Sequence, residues 1–334
     1  MSNEKIRTGI IGCGSISLHH IETMFQSKQT EIVAFCDPSR KSVRKARKVF
    51  KEAGQNKPAN EPNLTKFLNN FDLDVVLIAT PHSMHHDHTI ASLEAGLDVL
   101  LEKPMAMNTD EAIRMIETRD QTGKTLVIAF QGSLCPLVRM ASDHIKNKDF
   151  GDLLSVSATV WQNWGPNTAG TWRQIPALSG GGFTFDTGAH MLNTVADLVN
   201  QDFIEVAAWM DSKDRPVETL SVAMAKLKSG AFVTFHACGE TSRSCSSEIK
   251  VFCEKAILTT GVWGGNLQIQ KDNEKEAQEI PLPPQSSVWN TFLKVCAKEI
   301  ENPSPPEIGL CMIRLYDAIC LSAAEGGRIV KIES

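Results

Sequence analysis

Lys103 and His190 are the residues whose types could together move a proton and steady an anion. Lys103 lies in Glu102-Lys103-Pro104, at the end of the run Asp98-Val-Leu-Leu-Glu-Lys-Pro104, and His190 closes Gly180-Gly-Gly-Phe-Thr-Phe-Asp186-Thr-Gly-Ala-His190. Asp186 and His190 are four apart, so a helical turn presents both on one face. A hydride leaves a carbinol carbon only as the hydroxyl proton leaves. That step calls for a base of near-neutral pKa within hydrogen-bond reach, and His190 has the chemistry. Lys103 would stabilise the developing alkoxide, while Asp186 would hold the imidazole tautomer or bond a neighbouring hydroxyl. Taken singly, Lys103 also reads as a solvated strand-end lysine and His190 as a satisfied helix histidine.

Such a transfer needs a two-electron acceptor, and the segment Gly9-Ile-Ile-Gly12-Cys-Gly14-Ser15-Ile16-Ser17 has the form of a loop that could hold one. It runs out of an apolar strand into a helix. Gly12 permits a tight turn, Gly14 lets the backbone approach a pyrophosphate at the helix N-terminus, and Ser17 stands where a third glycine would serve helix packing. Asp37 closes the second strand. A carboxylate there accepts hydrogen bonds from the adenosine ribose and repels a 2′-phosphate, so NAD is favoured over NADP. Arg40, three residues on, works against that preference.

Two kinds of element must position these groups. Through residue 130, short Val/Ile/Leu runs without polar alternation (6–12, 31–37, 74–80, 98–104 and 125–130) alternate with helical stretches near 15–26, 39–53, 84–95 and 109–121. This grammar predicts an α/β fold, a doubly wound parallel Rossmann sheet covered on both faces. Lys103 then sits at the C-terminal strand edge, where such sheets bind ligands. Beyond about residue 150 the strands 153–161, 203–210, 219–227, 231–237 and 248–254 follow one another through loops. They predict an α+β domain with a large, mostly antiparallel, open-faced sheet. A helix near 186–199 interrupts it, and two more are expected near 287–300 and 308–323. The expected division is a dinucleotide-binding domain over 1–130 and a substrate-binding and oligomerisation domain over 131–334, whose last helices are free to pack back on the first. The antiparallel segments offer more apolar face than those helices can cover, so self-association through the sheet, as a dimer or tetramer, is expected.

Composition narrows the function classes. A chain of 334 residues has room for two domains and a sizeable core. With 42% hydrophobic and 22% charged residues and a mean hydropathy of -0.15, it has a globular profile. A net charge of -5 gives no overall footprint for a nucleic acid or an anionic membrane. No apolar run approaches a membrane span, and the first, Thr8 to Ile11, is far too short for a signal peptide. Nine cysteines without a C-x-x-C pair suit reduced thiols, and the expected location is the cytoplasm.

In order and spacing, GIIGCGSI with His20 following, TPHSMH at 80–85, AGLDVLLEKP at 95–104 and TWRQIPALSGGGFTFDTGAH at 171–190 resemble the glucose-fructose oxidoreductase, inositol dehydrogenase and MocA (Gfo/Idh/MocA) family of NAD(P)-dependent oxidoreductases. The resemblance covers nearly the whole chain. It implies a catalytic role for Lys103, Asp186 and His190. For the cofactor it implies Gly12, Gly14, Ile16, Asp37, Thr80, Pro81 and His85, and Ser15, Arg40, His82, Glu102 and Lys103 are expected beside them. The family's commonest substrates are sugars, cyclitols and related polyols. Where the family often carries an arginine pair after the fifth strand, this chain reads Phe130-Gln131-Gly132-Ser133, and Asn193 replaces a frequent aspartate. Both positions are expected near the substrate, with Gln131 among its contacts. Two rivals keep the fold: a catalytically silent NAD-binding regulator and an NAD-dependent glycosidase.

Trp161, Trp164 and Trp172 gather in one stretch with Asn163, Asn167 and Arg173. Flat apolar faces beside amides suit a polyhydroxylated ring, so Asn163, Trp164 and Arg173 join Lys103, Gln131, Asp186 and His190 as expected substrate contacts. Core packing or a subunit contact is the alternative for the tryptophans. Trp172 and Arg173 could also reach the cofactor. His82, His85, His86 and His88 beside Asp87 raise a zinc reading, but hydride transfer to a nicotinamide needs no metal and none is expected. The one tyrosine, Tyr316, lies in an apolar-periodic helix and is expected to pack rather than to act as an acid.

Overall fold

The structure, a computed structural model, describes residues 5–284 and 286–333. Two compact units divide them. The described residues of Met1–Ala106, Asp110–Ala129 and Ser286–Pro306 form the first, and those of Met107–Thr109, Phe130–Gln285 and Glu307–Ser334 form the second.

In the first unit, β1 (Ile6–Ile11), β2 (Thr30–Cys36), β3 (Ala59–Asn60), β4 (Val75–Ile78), β5 (Asp98–Leu101) and β6 (Leu126–Ile128) make a six-stranded sheet in the order β3-β2-β1-β4-β5-β6. Every pairing is parallel. Chain order reverses between β1 and β4, the switch point outside which open α/β sheets bind ligands. Ile10, Ile11, Val76, Leu77, Ile78, Val99, Leu100 and Leu101 are wholly buried or nearly so, as expected of central strands covered on both sides. The helices are α1 (Ser15–Gln26), α2 (Arg40–Glu52), α3 (Leu64–Asn70), α4 (His85–Glu94) and α5 (Thr109–Thr122). The Ser39 hydroxyl caps α2 by accepting from the Ser42 N–H, and the Asn63 side chain caps α3 through Lys66.

The second unit opens with α6 (Gln131–Leu134) and α7 (Pro136–Lys146), then β7 (Leu153–Gln162), α8 (Trp164–Thr168), α9 (Pro176–Ser179), α10 (Phe183–Asp186) and α11 (Gly188–Val199). Its sheet continues with β8 (Phe203–Asp211), β9 (Leu220–Leu227), β10 (Phe232–Cys238), β11 (Cys245–Cys253), β12 (Ala256–Thr260), β13 (Leu267–Lys271), β14 (Gln278–Glu279) and β15 (Val330–Lys331). The nine strands are ordered β14-β13-β12-β11-β7-β10-β9-β8-β15. All pairs are antiparallel except β7 with β10, which run parallel. The long crossover through α11, β8 and β9 makes that exception possible. Alternation along β9 buries Ser221, Ala223, Ala225 and Leu227 and exposes Val222 and Met224.

The late helices divide between the units. α12 (Val288–Cys296) joins the first, where the Trp289 indole donates to the Thr30 hydroxyl at 2.7 Å and the Asn302 amide to the Leu126 carbonyl at 2.9 Å. α13 (Pro306–Ala324) lies mainly in the second. Elements beyond the sequence expectation are β3, α3, α6, α7, α8, α9, α10 and β12–β15. Among the described residues no helix is long and apolar enough to cross a membrane.

Candidate active site

The first unit builds a cradle for a dinucleotide around the end of β1. Gly12 has φ +90°, and a Cβ there would lie 2.6 Å from the Ala79 carbonyl oxygen. Only glycine lets the loop pass so close to the end of β4. The Ser17 hydroxyl donates to the Gly12 carbonyl at 2.6 Å and fastens the turn to α1. Gly14, Ser15 and Ile16 are exposed at the start of α1, and a Cβ on Gly14 would meet nothing within 4 Å. Open space against first-turn N–H groups fits a pyrophosphate. Asp37 is oriented by two backbone donors, accepting from the Cys13 N–H through Oδ2 and from the Ser39 N–H through Oδ1, each at 2.6 Å. Arg40 is exposed, and Thr80 and Pro81 are half-buried.

Behind this cradle lie further residues expected at the cofactor. His85 is wholly buried and bridges two loops, with Nδ1 2.7 Å from the Pro104 carbonyl and Nε2 3.0 Å from the Thr80 carbonyl. Burial lowers its pKa, against the two carbonyls, which raise it. His85 thus holds the loop after β4 to the one after β5, with its ring wholly buried. His82 is also buried, with its ring 5.7 Å from that of His85. Glu102, 8% exposed, is paired with buried His20 at 2.7 Å. Burial pushes the Glu102 carboxyl up, but the hydrogen bond and charge of His20, with Lys103, outweigh it and hold it below the usual range. The Lys103 N–H donates to the Glu102 carboxylate at 3.2 Å, and the Lys103–Pro104 peptide is cis. Lys103 is half-buried. His88 lies 3.3 Å from the Thr80 hydroxyl and His86 2.7 Å from Asp87. Among the described residues no three His, Cys, Asp or Glu side chains group as a metal would require.

In the second unit, α10 ends on Asp186 and α11 carries His190 in its first turn. Asp186 Oδ2 accepts from Trp164 Nε1 at 2.8 Å and from Arg173 Nε at 3.0 Å. The Arg173 guanidinium in turn lies 4.7 Å from the Trp172 ring centroid. The His190 ring meets Phe130 edge-on at 5.8 Å and Trp263 at 5.9 Å. Between them, the Thr187 hydroxyl donates to Gln162 at 3.0 Å. Gln162 also lines a polar cavity of about 530 Å³ with Asn163, Asn167, Arg243 and Ser244. Gln131 is exposed at the start of α6, next to Phe130.

Several side chains differ from expectation in their surroundings. Trp164 is 2% exposed and serves Asp186 through its indole N–H, so it presents no flat face to a sugar ring. Asn193 is wholly buried and donates to the Ser133 hydroxyl at 2.9 Å, which ties α11 to α6. Tyr316, in line with the sequence reading, packs at 4.5 Å on Phe185, its hydroxyl pKa raised by burial. Trp263, Arg243 and Glu218 escaped sequence reasoning. Trp263 stands in Gly261-Val-Trp263-Gly-Gly265, a second glycine-rich loop whose composition was its one signal. Glu218 accepts from the Gly182 N–H at 2.6 Å and steadies the glycine run ahead of Asp186. Burial pushes its carboxyl up to about 7, although backbone N–H donors including Gly182 oppose that.

Comparison with known proteins agrees with both halves. Residues 6–130 match the group described as "Oxidoreductase family, NAD-binding Rossmann fold", and residues 138–259 match the GFO/IDH/MocA C-terminal domain. The chain is 25% identical over 225 residues to the 1-carboxy-3-chloro-3,4-dihydroxycyclohexa-1,5-diene dehydrogenase of Comamonas testosteroni, covering 67% of this chain and 55% of that one. It is 29% identical over 194 residues to the D-glucoside 3-dehydrogenase of Escherichia coli strain K12, covering 58% and 54%. The chain thus spans little more than half the length of these curated relatives. The aldose-aldose oxidoreductase of Caulobacter crescentus, solved with glycerol, shares the fold with a TM-score of 0.83 at 21% identity, covering 98% of this chain and all of that one.

Proposed function

Because the chain belongs to the Gfo/Idh/MocA family of oxidoreductases, we propose that it is an NAD-dependent oxidoreductase acting on a carbinol or carbonyl carbon of a sugar, sugar derivative or cyclitol. One observation carries the reading: Asp186 is anchored by Trp164 and Arg173 one turn ahead of His190, whose ring packs against Phe130 and Trp263. A base must be held in one place to meet a hydroxyl proton, and packing of the imidazole against two aromatic rings does that. Relatives named for a dihydroxylated ring and a D-glucoside support the substrate class.

Gly12, Gly14, Ser15 and Ile16 would hold the pyrophosphate and Asp37 the adenosine ribose. Bound there, NAD would supply the acceptor for the hydride. His190 takes the hydroxyl proton, and the Lys103 ammonium stabilises the alkoxide left behind. Asn163, Gln131 and Arg173 offer hydrogen bonds to the remaining hydroxyls. Incubating the chain with NAD and a panel of polyols and aldoses, while following NADH absorbance, tests the proposal. Sugar release without net NADH would establish the glycosidase reading instead, and tight NADH binding without any turnover the regulator.

Self-association belongs to the same proposal. Trp209, Val222, Met224 and Phe232 stand 44–55% exposed on one face of β8, β9 and β10, and cross-strand pairing aligns Trp209 with Val222. Covering that apolar face with a second copy removes it from water. Light scattering should give a dimer or tetramer, and a single species of 36.7 kDa would overturn this part. Nine cysteines, none in a disulfide, support a reducing, cytoplasmic setting.

A further inference from the structure

The polar cavity of about 530 Å³ in the second unit is tied to the catalytic turn through its own wall. Gln162 ends β7, and its Oε1 accepts the hydroxyl of Thr187, which stands between Asp186 and His190 in the chain. Asn163 follows and leads into Trp164, whose indole N–H holds Asp186. Beside them β11 begins: Cys245 pairs with Gln162, and the Asn163 N–H donates to the Ser244 carbonyl at 3.2 Å. This pairing sets Arg243 on the same wall as the two amides.

The chemistry of that wall is one-sided. Arg243 is its one charged residue, and neither Asp nor Glu lines it. Carboxylates of the adjoining segments are already engaged, Glu240 by Arg215, Glu248 by Lys250 and Asp186 by Arg173. Arg243 itself is exposed, and among the described residues its guanidinium meets no carboxylate. The Asn163 side chain makes no capping bond to α8, and Gln162, with its oxygen occupied by Thr187, has its NH2 group left to donate. A guanidinium offers five donors and no acceptor. A sugar hydroxyl engages one of them, whereas a carboxylate takes two in parallel and adds the attraction of opposite charge. One guanidinium matches the single charge of a carboxylate and leaves a phosphate dianion half neutralised.

We propose that this cavity takes the carboxylate of an acidic sugar or cyclitol, recognised by Arg243, so that uronic acids and related polyhydroxy acids are preferred over neutral polyols. The inference rests on the oxidoreductase reading above and deepens it by naming the substrate class. A carboxylate held at Arg243 and a hydroxyl held at His190 give two-point attachment, which selects the carbon that reacts.

NADH formation by the full chain with NAD tests this on matched pairs: methyl β-D-glucuronide against methyl β-D-glucoside, and D-galacturonate against D-galactose. In at least one pair kcat/KM for the acid should exceed that for its neutral partner about tenfold or more, and the gap should narrow with salt. Arg243→Gln should bring the two members within about threefold of each other, chiefly through KM of the acid. Arg243→Lys should recover part of the preference, as a charge without the planar fork does. Lys250→Gln removes a cation from β11 outside the cavity and should leave the preference alone. The proposal is overturned by a wild-type chain indifferent to the carboxylate in both pairs, by a preference that survives Arg243→Gln, by equal losses in the Arg243 and Lys250 variants, or by D-glucose 6-phosphate outperforming both acids. Calorimetric titration of the acids into the NADH-loaded chain separates this inference from the reading beneath it. Arg243-dependent binding without turnover would strike the oxidoreductase reading and leave the carboxylate site standing, while turnover of neutral sugars alone would do the reverse.

Discussion

Replacing Gly12 and Gly14 separately by alanine should split stability from cofactor binding, although the two residues are neighbours in one loop. At Gly12 the new Cβ would lie 2.6 Å from the Ala79 carbonyl oxygen and 2.9 Å from Thr80 Cγ2. The carbonyl is main chain, and the Ala79 N–H is bonded to Ile11 at 2.8 Å, so the end of β4 must shift. Left-handed strain costs about 1–2 kcal/mol and overpacking about 1–3 kcal/mol. The sum, about 2–5 kcal/mol, corresponds to a fall in Tm on the order of 5–15 °C for a unit of this size. At Gly14, φ is -71° and a Cβ meets nothing within 4 Å. Alanine there should cost no more than about 1 kcal/mol, the loss of a favourable N-cap residue. It fills the space a pyrophosphate would take, so NADH affinity should drop at least about tenfold. Thermal denaturation monitored by circular dichroism gives the first quantity and NADH fluorescence the second. A Gly14→Ala chain that binds NADH like wild type would refute the cradle, and a Gly12→Ala chain with unchanged Tm would refute the close-approach argument.

The proposed chemistry predicts that Lys103→Met and His190→Ala each lower kcat by about 10²–10⁴ while leaving NADH affinity nearly intact; the double variant should fall far short of additivity, and near-wild-type turnover in either single variant would reject the assignment. His85→Ala opens a cavity and strips the Thr80 and Pro104 carbonyls of their shared partner, so urea unfolding should show a loss of about 2–4 kcal/mol, with an unchanged midpoint counting against the bridge. Glu218 titrates near 4.5 when unfolded and, raised by burial, at about 7 in the fold. Between those values the folded state holds the extra proton, so its contribution to stability is full below the lower value and is lost as pH rises to the upper one. Glu218→Gln should flatten that descent in a series of denaturation curves across the window, and a slope identical to wild type would show that another group is responsible.

Much of the first unit was legible because its cues are local. Unbroken Val and Ile runs separated by helical stretches require strands buried on both faces, and the glycine spacing after β1 with Asp37 after β2 names the edge where a dinucleotide binds. Asp186 and His190 share a face by helical arithmetic alone. The same local cues were present in Pro136-Leu-Val138 for α7, where proline at the first helical position and the buried Leu137, Val138, Ala141 and Ile145 mark a helix start and stripe. The two-residue β3 left no periodicity to read. What tertiary structure alone decided is the work each polar side chain does, because burial and partnership depend on segments distant in sequence. That the His85 ring spans the Thr80 and Pro104 carbonyls shows only once both loops are folded. Trp164 reads as an open aromatic face until Asp186, 22 residues on, takes its N–H. Trp263 comes to the side of His190 only when the loop after β12 folds back. Nor can a charge count distinguish a solvated loop arginine from one that borders a polar cavity. That distinction arises only when β7 and β11 pair and bring Gln162 and Asn163 alongside Arg243, since electrostatic potential adds over distance in space and not along the chain.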